Sequence, residues 1–199
     1  PILGIMGHSY GGWLAYHTVF ENKDVVRPLI VVASAKDIRT AKNRSFALDM
    51  LELRLDQPQI YAKLLPELDE LKEPLWEFQK RIRKQAAPLK RRALFMWANL
   101  STMTWYSAIK EKVGMPERWE LTHEISSKIS QTHLLRELNP QLIQSKMLRI
   151  MGAHDFLMDG DQYYPGQKND FLTFLKSGHY PHFEEPERFV RELRGFLEI

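Results

Sequence analysis

The sequence predicts an α/β fold, a mainly parallel sheet with helices, in which a large helical cap is inserted between two strands. Short apolar runs of strand length occur near both ends of the 199-residue chain. The first two runs flank a helical stretch, which is typical of a strand-helix-strand unit. The middle of the chain shows helical periodicity alone. We therefore expect core segments at 1–36 and 146–199 and a helical cap at 37–145.

The first core segment is predicted to contain a strand, a sharp turn, a helix and a second strand. The run Ile2–Met6 is continuously apolar, as expected of a buried strand. Trp13–Phe20 then places apolar residues on successive helical turns, and a second buried strand is predicted over Pro28–Ala33. Two such strands joined through a helix pair in parallel with a right-handed crossover.

The predicted cap repeats Leu, Met, Trp and Phe at spacings of three and four residues, and prolines at 58, 66, 74, 88 and 116 divide it into helices. Since ligands bind at the C-terminal edge of open α/β sheets, we expect the cap to lie over that edge. Its aromatic residues are expected mainly to pack within the cap; they are Trp76, Phe78, Phe95, Trp97, Trp105, Tyr106 and Trp119. A basic run is expected on a solvated helix face; it comprises Lys80, Arg81, Arg83, Lys84, Lys90, Arg91 and Arg92.

Strand character returns in the last part of the chain, at Met147–Met151 and at Asp170–Leu175. An amphipathic helix over Pro186–Ile199 closes the sequence. The apolar face of this helix is predicted to consist of Phe189, Val190, Leu193, Phe196 and Leu197.

Composition excludes several function classes. The formal net charge of +3 is small beside 28 basic and 25 acidic residues, so the charge balance does not indicate a nucleic-acid partner. No apolar run approaches the roughly 18 residues of a membrane span. Without cysteine there is no disulfide framework, thiolate nucleophile or cysteine-rich zinc site. No metal or organic cofactor is expected.

The hexapeptide GHSYGG at 7–12 lies between the first strand and the first helix. A sharp strand-to-helix turn of this kind exposes a nucleophilic serine at the sheet edge. We expect Gly7, Gly11 and Gly12 to supply the space that the turn needs, with Ser9 as nucleophile. The backbone N–H of Tyr10 would then point at a developing oxyanion, near the positive end of the helix.

Two further residues follow strand ends in the order nucleophile, acid, histidine. Asp155 comes directly after the third strand and His179 after the fourth. We expect Asp155 to orient His179, and His179 to take and return the proton of Ser9. The other acidic candidates, Asp159, Asp161 and Asp170, are expected to be loop carboxylates. The neighbouring His182 is expected to pack or hydrogen-bond beside the site, and the side chain of His8 is expected to be turned into the fold.

With the elbow, a strand that ends in Gly-x-x-Asp at 152–155, and Gly-His-x-Pro-His-x-Glu-x-Pro at 178–186, the sequence resembles the α/β-hydrolase superfamily. The resemblance covers both ends, about half of the chain, and implies the α/β-hydrolase fold and a catalytic triad of Ser9, Asp155 and His179. The elbow and the long cap look most like the proline iminopeptidase branch. That branch implies an aminopeptidase for small peptides, with a cap carboxylate that holds the substrate amine. The candidates are Glu111, Glu117, Glu120 and Glu124.

The sequence departs from the family at its start and after the acid. The strands and the His-Gly loop that normally precede the elbow are absent, so we expect a partner segment, on the same gene product or a second chain, to carry them and the second oxyanion donor. From Asp155 to His179 is 179 − 155 = 24 residues, which predicts that the usual helix there is shortened or lost. Because the chain begins abruptly at Pro1, a cytoplasmic location is only the default, with secreted or periplasmic locations left open.

Three other functions remain possible on the sequence alone. A carboxylic ester hydrolase and a carbon-carbon bond hydrolase would use the same nucleophile. A non-catalytic binding protein with a hydrolase fold is the alternative from another class. The intact set of Ser9, Asp155 and His179 argues against that last alternative.

Overall fold

The computed structural model describes residues 4–22, 24, 27–35, 38–85, 91–114, 145–158 and 169–199. In these residues four strands form one sheet, and every neighbouring pair is parallel. The predicted parallel sheet is thus confirmed. The strands are β1 (Ile5–His8), β2 (Leu29–Val32), β3 (Met147–Gly152) and β4 (Asn169–Phe174), in the order β1-β2-β3-β4.

The register of the sheet brings the ends of its strands together. Ile5 pairs with Leu29, Leu29 with Met147 and Met147 with Asn169, so the four strands begin in step. Because all four run in parallel, the segments that follow them emerge at one edge. This edge is where ligands bind in open α/β sheets.

Helices cover the sheet and extend between β2 and β3. Helix α1 (Tyr10–Glu21) joins the first two strands. Between β2 and β3 come helices only, as predicted, within the described residues 38–85 and 91–114. They are α2 (Ile38–Asp56), α3 (Pro58–Asp69), α4 (Leu75–Gln85), a 3-10 helix (Arg91–Phe95) and α5 (Leu100–Val113). The chain ends with the short α6 (Pro181–Glu184) and with α7 (Pro186–Leu197).

Several element bounds differ from the predicted ones. Strand β1 runs on through Gly7 and His8, because these residues pair with Val31 and Val32 of β2. Helix α1 begins at Tyr10 rather than at Trp13, so the elbow leads into the helix without a linker. Helix α6 was not predicted, since four residues are too few to show a helical period.

The two central strands of the sheet are buried throughout, whereas Met6 of the outer strand β1 is 57% exposed. Leu29 and Val31 of β2 pack with α1, whereas Ile30 and Val32 pack with Phe189 and Phe196 of α7. This alternation follows from the two-residue period of a strand. Leu193 and Leu197 also pack on this cluster. The prediction that Val190 belongs to the buried face is wrong, because this residue is 47% exposed.

Helices α2, α3 and α4 enclose a separate apolar cluster, which includes Phe46, Leu53, Leu64, Phe78 and Ile82. The prediction that cap aromatics pack within the cap is confirmed for Phe78, which is fully buried, but Trp105 is 53% exposed. The side chain of Trp76 and all of Trp119 lie outside the described residues. Among the described helices, none is long and apolar enough to cross a membrane.

The basic run is not simply a solvated face. Arg81 forms ion pairs with Glu67 and Glu73, and Arg83 pairs with the fully buried Asp49. The partly buried Arg83 therefore links α4 to the buried carboxylate of α2. Lys90 and the side chain of Arg92 lie outside the described residues.

Candidate active site

The turn from β1 to α1 places Ser9 at the C-terminal edge of the sheet. Ser9 has a φ of 53°, a conformation that costs free energy in a non-glycine residue and tends to occur at functional sites. A side chain at Gly7 would collide with the backbone of Gly11, and a Cβ atom at Gly12 would lie 2.6 Å from the Cβ of Ser34. The prediction that Gly11 also supplies space is wrong, since a Cβ there would meet no atom within 4 Å.

The hydroxyl of Ser9 is directed at an imidazole. Although Ser9 is the N-cap residue of α1, its side chain makes no capping hydrogen bond. Its Oγ atom lies 2.9 Å from Nε2 of His179. The backbone N–H of Ser9 donates to the carbonyl of Val32 at 2.9 Å, which fixes the elbow to the neighbouring strand.

The other nitrogen of His179 meets a carboxylate. Nδ1 of His179 lies 2.8 Å from Oδ2 of Asp155, and both side chains are almost completely buried. Oδ1 of Asp155 accepts the N–H of Leu157 at 3.0 Å, so both carboxylate oxygens are held. An ionised carboxylate can accept hydrogen bonds but cannot donate them. The proton of this contact therefore lies on Nδ1, and Nε2 is free to accept a hydrogen bond from the hydroxyl of Ser9.

The backbone of His179 is also held at both ends of the residue. Its N–H donates to the carbonyl of Met96 at 2.6 Å. Its carbonyl oxygen accepts from Nε2 of His8 at 2.7 Å. Burial, together with the charge that His179 can carry, lowers the pKa of His8 to about 3. His8 is therefore a neutral donor at neutral pH. The sequence predicts a side chain that is turned into the fold, and the structure adds its bond to the histidine loop.

His182 lies in the same group of rings. Its ring centroid is 4.7 Å from that of His8. Burial, and then the charge on His179, lower the pKa of His182 to about 4. Both neighbouring histidines thus stay uncharged near neutral pH, and His179 is left as the histidine that contacts both a hydroxyl and a carboxylate.

Tyr10 is the first residue of α1, directly after the nucleophile. The N–H groups of the first helical turn have no acceptor within the helix, and they lie at its positive end. The ring of Tyr10 stacks on Trp13 with centroids 5.6 Å apart, so the side chain is directed along the helix. The position of the backbone is compatible with the predicted oxyanion donor.

The remaining candidates are not brought to the site by the described residues. Asp159 and Asp161 lie outside them, as do Glu117, Glu120 and Glu124, and only the backbone of Asp170 is described, within β4. Glu111 is exposed on α5. Within the described ranges, no group of three or more His, Asp and Glu side chains could hold a metal ion.

Sequence reasoning missed the part that the 3-10 helix and α5 play here. Trp97 stacks on Tyr180, next to the histidine, with ring centroids 4.2 Å apart and planes at 18°. This contact, like the bond from His179 to Met96, joins residues more than 80 positions apart in the sequence. No local pattern in either segment indicates it.

Comparison with known proteins gives the same picture of the fold. The model of the alpha/beta hydrolase family matches residues 1–192. A search of curated proteins found no significant match.

Three solved structures illustrate the likeness. A serine hydrolase from Cycloclasticus zankles aligns with a TM-score of 0.55 and 14% identity, over 98% of this chain and 63% of its own. A meta-cleavage product hydrolase from Pseudomonas fluorescens aligns with a TM-score of 0.53 and 14% identity, over 98% of this chain and 64% of the hydrolase. An esterase from Exiguobacterium antarcticum aligns with a TM-score of 0.52 and 14% identity, over 98% of this chain and 66% of the esterase. At these identities the likeness shows the fold, and the chain spans just under two thirds of each structure.

Proposed function

We propose that this chain, which belongs to the alpha/beta hydrolase family, carries the catalytic residues of a serine hydrolase. Ser9 is the nucleophile, His179 the general base and then the general acid, and Asp155 the residue that orients the imidazole. The observation that carries the proposal is the pair of contacts made by one buried ring, 2.9 Å to Ser9 and 2.8 Å to Asp155. Both distances are within the range for nucleophile, base and orienting group.

The first half-reaction forms an acyl-enzyme. Oγ of Ser9 attacks the substrate carbonyl carbon while its proton passes to Nε2 of His179, and the carbonyl electron pair moves onto the oxygen. The tetrahedral adduct then collapses, and the leaving group departs with the proton from Nε2. Asp155 stabilises the imidazolium that exists between these two transfers.

The second half-reaction repeats the steps with water. The water oxygen attacks the acyl carbon while His179 takes a proton from the water. That proton then passes to Oγ of Ser9 as the acid product leaves. In both halves the backbone N–H of Tyr10 donates to the oxyanion. A preorganised donor at a helix terminus stabilises that charge without reorientation.

The substrate class we favour is a small peptide with a proline or similar residue at its N-terminus, as in the proline iminopeptidase branch. The support is the resemblance of the elbow at 7–12 and of the long helical insertion after β2. The acyl-transfer chemistry is the same for carboxylic esters, and a carbon-carbon bond hydrolase could use the same serine.

A paired assay separates the peptidase from the esterase. The complete protein is incubated with the p-nitroanilide of proline and with p-nitrophenyl esters, and the Ser9→Ala variant serves as control for background hydrolysis. The proposal expects serine-dependent release of nitroaniline. Turnover of the esters without turnover of the prolyl amide would exclude the peptidase and leave an ester hydrolase.

A further inference from the structure

We propose that Glu184 is a positioning residue, whose carboxylate fixes the loop that carries His179 to the segment 96–99 between the 3-10 helix and α5. Glu184 belongs to the Gly-His-x-Pro-His-x-Glu-x-Pro pattern, yet it contacts neither Ser9 nor Asp155 among the contacts described above. The inference that it affects catalysis rests on the proposed function. The link itself is a separate, structural claim.

Three backbone donors converge on this one carboxylate. Oε1 accepts the N–H of Ala98 at 2.7 Å and the N–H of Asn99 at 2.8 Å. Oε2 accepts the N–H of Gly178 at 2.7 Å. Hydrogen bonds to an ionised acceptor are stronger than those between neutral groups. One side chain therefore joins the histidine loop to a segment far away in the sequence, since Ala98 and Glu184 are 86 residues apart.

The position of the carboxylate also suits the start of α5. Asn99 is the N-cap of that helix, and its side chain already accepts the N–H groups of Ser101 and Thr102. Glu184 satisfies the N–H of the cap residue itself and that of Ala98 before it. Negative charge is favourable near a helix N-terminus, because the helix dipole is positive there.

The linked segments fit together closely around these bonds. A side chain at Gly178 would collide with the carbonyl of Met96, the same carbonyl that accepts the N–H of His179 at 2.6 Å. Trp97 stacks on Tyr180 on the other side of the histidine. A shift of 96–99 relative to the loop therefore moves the backbone on both sides of His179.

Such a shift matters because the imidazole must satisfy two partners at once. Catalytic groups need to be held to within about 0.5 Å of their productive geometry by packing and by supporting hydrogen bonds. Glu184 supplies that support to the residue before His179, whereas its neighbour Glu185 accepts from Lys176 and Ser177 and makes no described bond to 96–99. The two glutamates thus allow a matched comparison.

The test compares E184Q, E184A, E185Q and the exposed-site control E187Q in the complete protein. E184Q keeps the size of the side chain but retains only one acceptor oxygen. We expect that oxygen to stay with Ala98 and Asn99, where it makes two bonds, and the amide to face Gly178. Hydrogen exchange, followed residue by residue, should then accelerate at Gly178 in E184Q and also at Ala98 and Asn99 in E184A. E185Q can keep its one acceptor oxygen on Lys176 and Ser177, so exchange at 98–99 and at 178 should stay at the wild-type rate.

The catalytic part of the inference is measured with p-nitrophenyl acetate. Because misplacement of a catalytic group impairs the chemical step, we expect kcat to fall about tenfold in E184Q with KM changed by less than about twofold, and E187Q to match the wild type. Thermal unfolding of each variant checks that the sheet remains folded. Exchange at 98–99 and 178 unchanged in folded E184A would overturn the link.

Accelerated exchange with wild-type kcat in E184Q would overturn the positioning role while leaving the link in place. If the wild type shows no Ser9-dependent hydrolysis of either the ester or the prolyl p-nitroanilide, the proposed function fails instead. The exchange measurements still decide whether Glu184 joins the two segments.

Discussion

Nε2 of His8 donates a hydrogen bond of 2.7 Å to the carbonyl oxygen of His179, 171 residues later in the chain. The residue before the proposed nucleophile thus holds the backbone of the proposed base. Two polar contacts therefore connect the elbow to the histidine loop, this bond and the contact of Ser9 with the imidazole.

The bond from His8 gives a prediction for two variants. Glutamine can place an amide N–H close to the position of Nε2, whereas leucine has no donor and leaves the carbonyl of His179 unsatisfied. We expect H8L to be less stable than H8Q by about 1–3 kcal/mol, the usual cost of an unpaired buried polar group. Urea unfolding of both variants measures the difference. Equal stabilities would show that this bond is not used.

The low pKa of His8 predicts acid sensitivity. Its pKa is about 3 in the folded chain, against an ordinary value of 6.5. Above about pH 6.5 the histidine is neutral in both states; as the pH falls toward 3, the unfolded chain binds a proton that the folded chain does not. The free energy of unfolding should fall by about 1.4 kcal/mol per pH unit in that window.

Replacement of His8 removes this titration. The stability of H8Q should therefore depend less steeply on pH than that of the wild type, as measured by urea unfolding at about pH 7.5 and about pH 5. His182, whose pKa is lowered to about 4, remains in both proteins and contributes the same sign. Parallel pH profiles for the two proteins would contradict the proposed state of His8.

Two adjacent glycines of the elbow should respond differently to alanine. A Cβ at Gly12 meets the Cβ of Ser34 at 2.6 Å and the carbonyl of Gly7 at 2.9 Å, so G12A should cost about 1–3 kcal/mol through overpacking. At Gly11 a Cβ has open space within a helix, so G11A should be neutral or stabilising by up to about 1 kcal/mol. Thermal unfolding of the pair decides whether the tight contact is at position 12.

The carboxylate of Asp155 gives a prediction for catalysis. In D155N the amide can still accept the N–H of Leu157, which preserves the local fold. An amide N–H facing Nδ1 favours the wrong tautomer of His179, and kcat should fall by about 10⁴-fold. Ester hydrolysis measures this loss, and circular dichroism should show no change in the fold. A decrease in kcat of less than tenfold would show that a residue other than Asp155 orients the imidazole.

Much of the sheet could be predicted from sequence, because strands buried on both faces are continuously apolar. The four-residue strand β2 is an example. The misplaced end of β1 has the opposite cause, since Gly7 indicates a turn and only pairing with β2 extends the strand through it. Val190 was misassigned because it lies at the margin of the apolar stripe of α7, where one residue of rotation turns it to solvent.

The candidate site was predictable to the extent that its geometry is local. The elbow is encoded by adjacent glycines, and the positions of Asp155 and His179 follow from where the strands end. Their contact distances, and the bonds made by His8 and Glu184, depend on how distant segments pack. The pattern at 178–186 contains Glu184, but nothing in the sequence indicates its partners at 98–99.

The central claim, that Ser9 is a nucleophile activated by His179, is tested most directly with a fluorophosphonate probe followed by mass spectrometry of the labelled peptide. The complete protein should acquire one covalent adduct on Ser9, and the S9A variant should acquire none at that peptide. A folded protein in which Ser9 stays unlabelled, or an adduct that persists in S9A, would contradict the account.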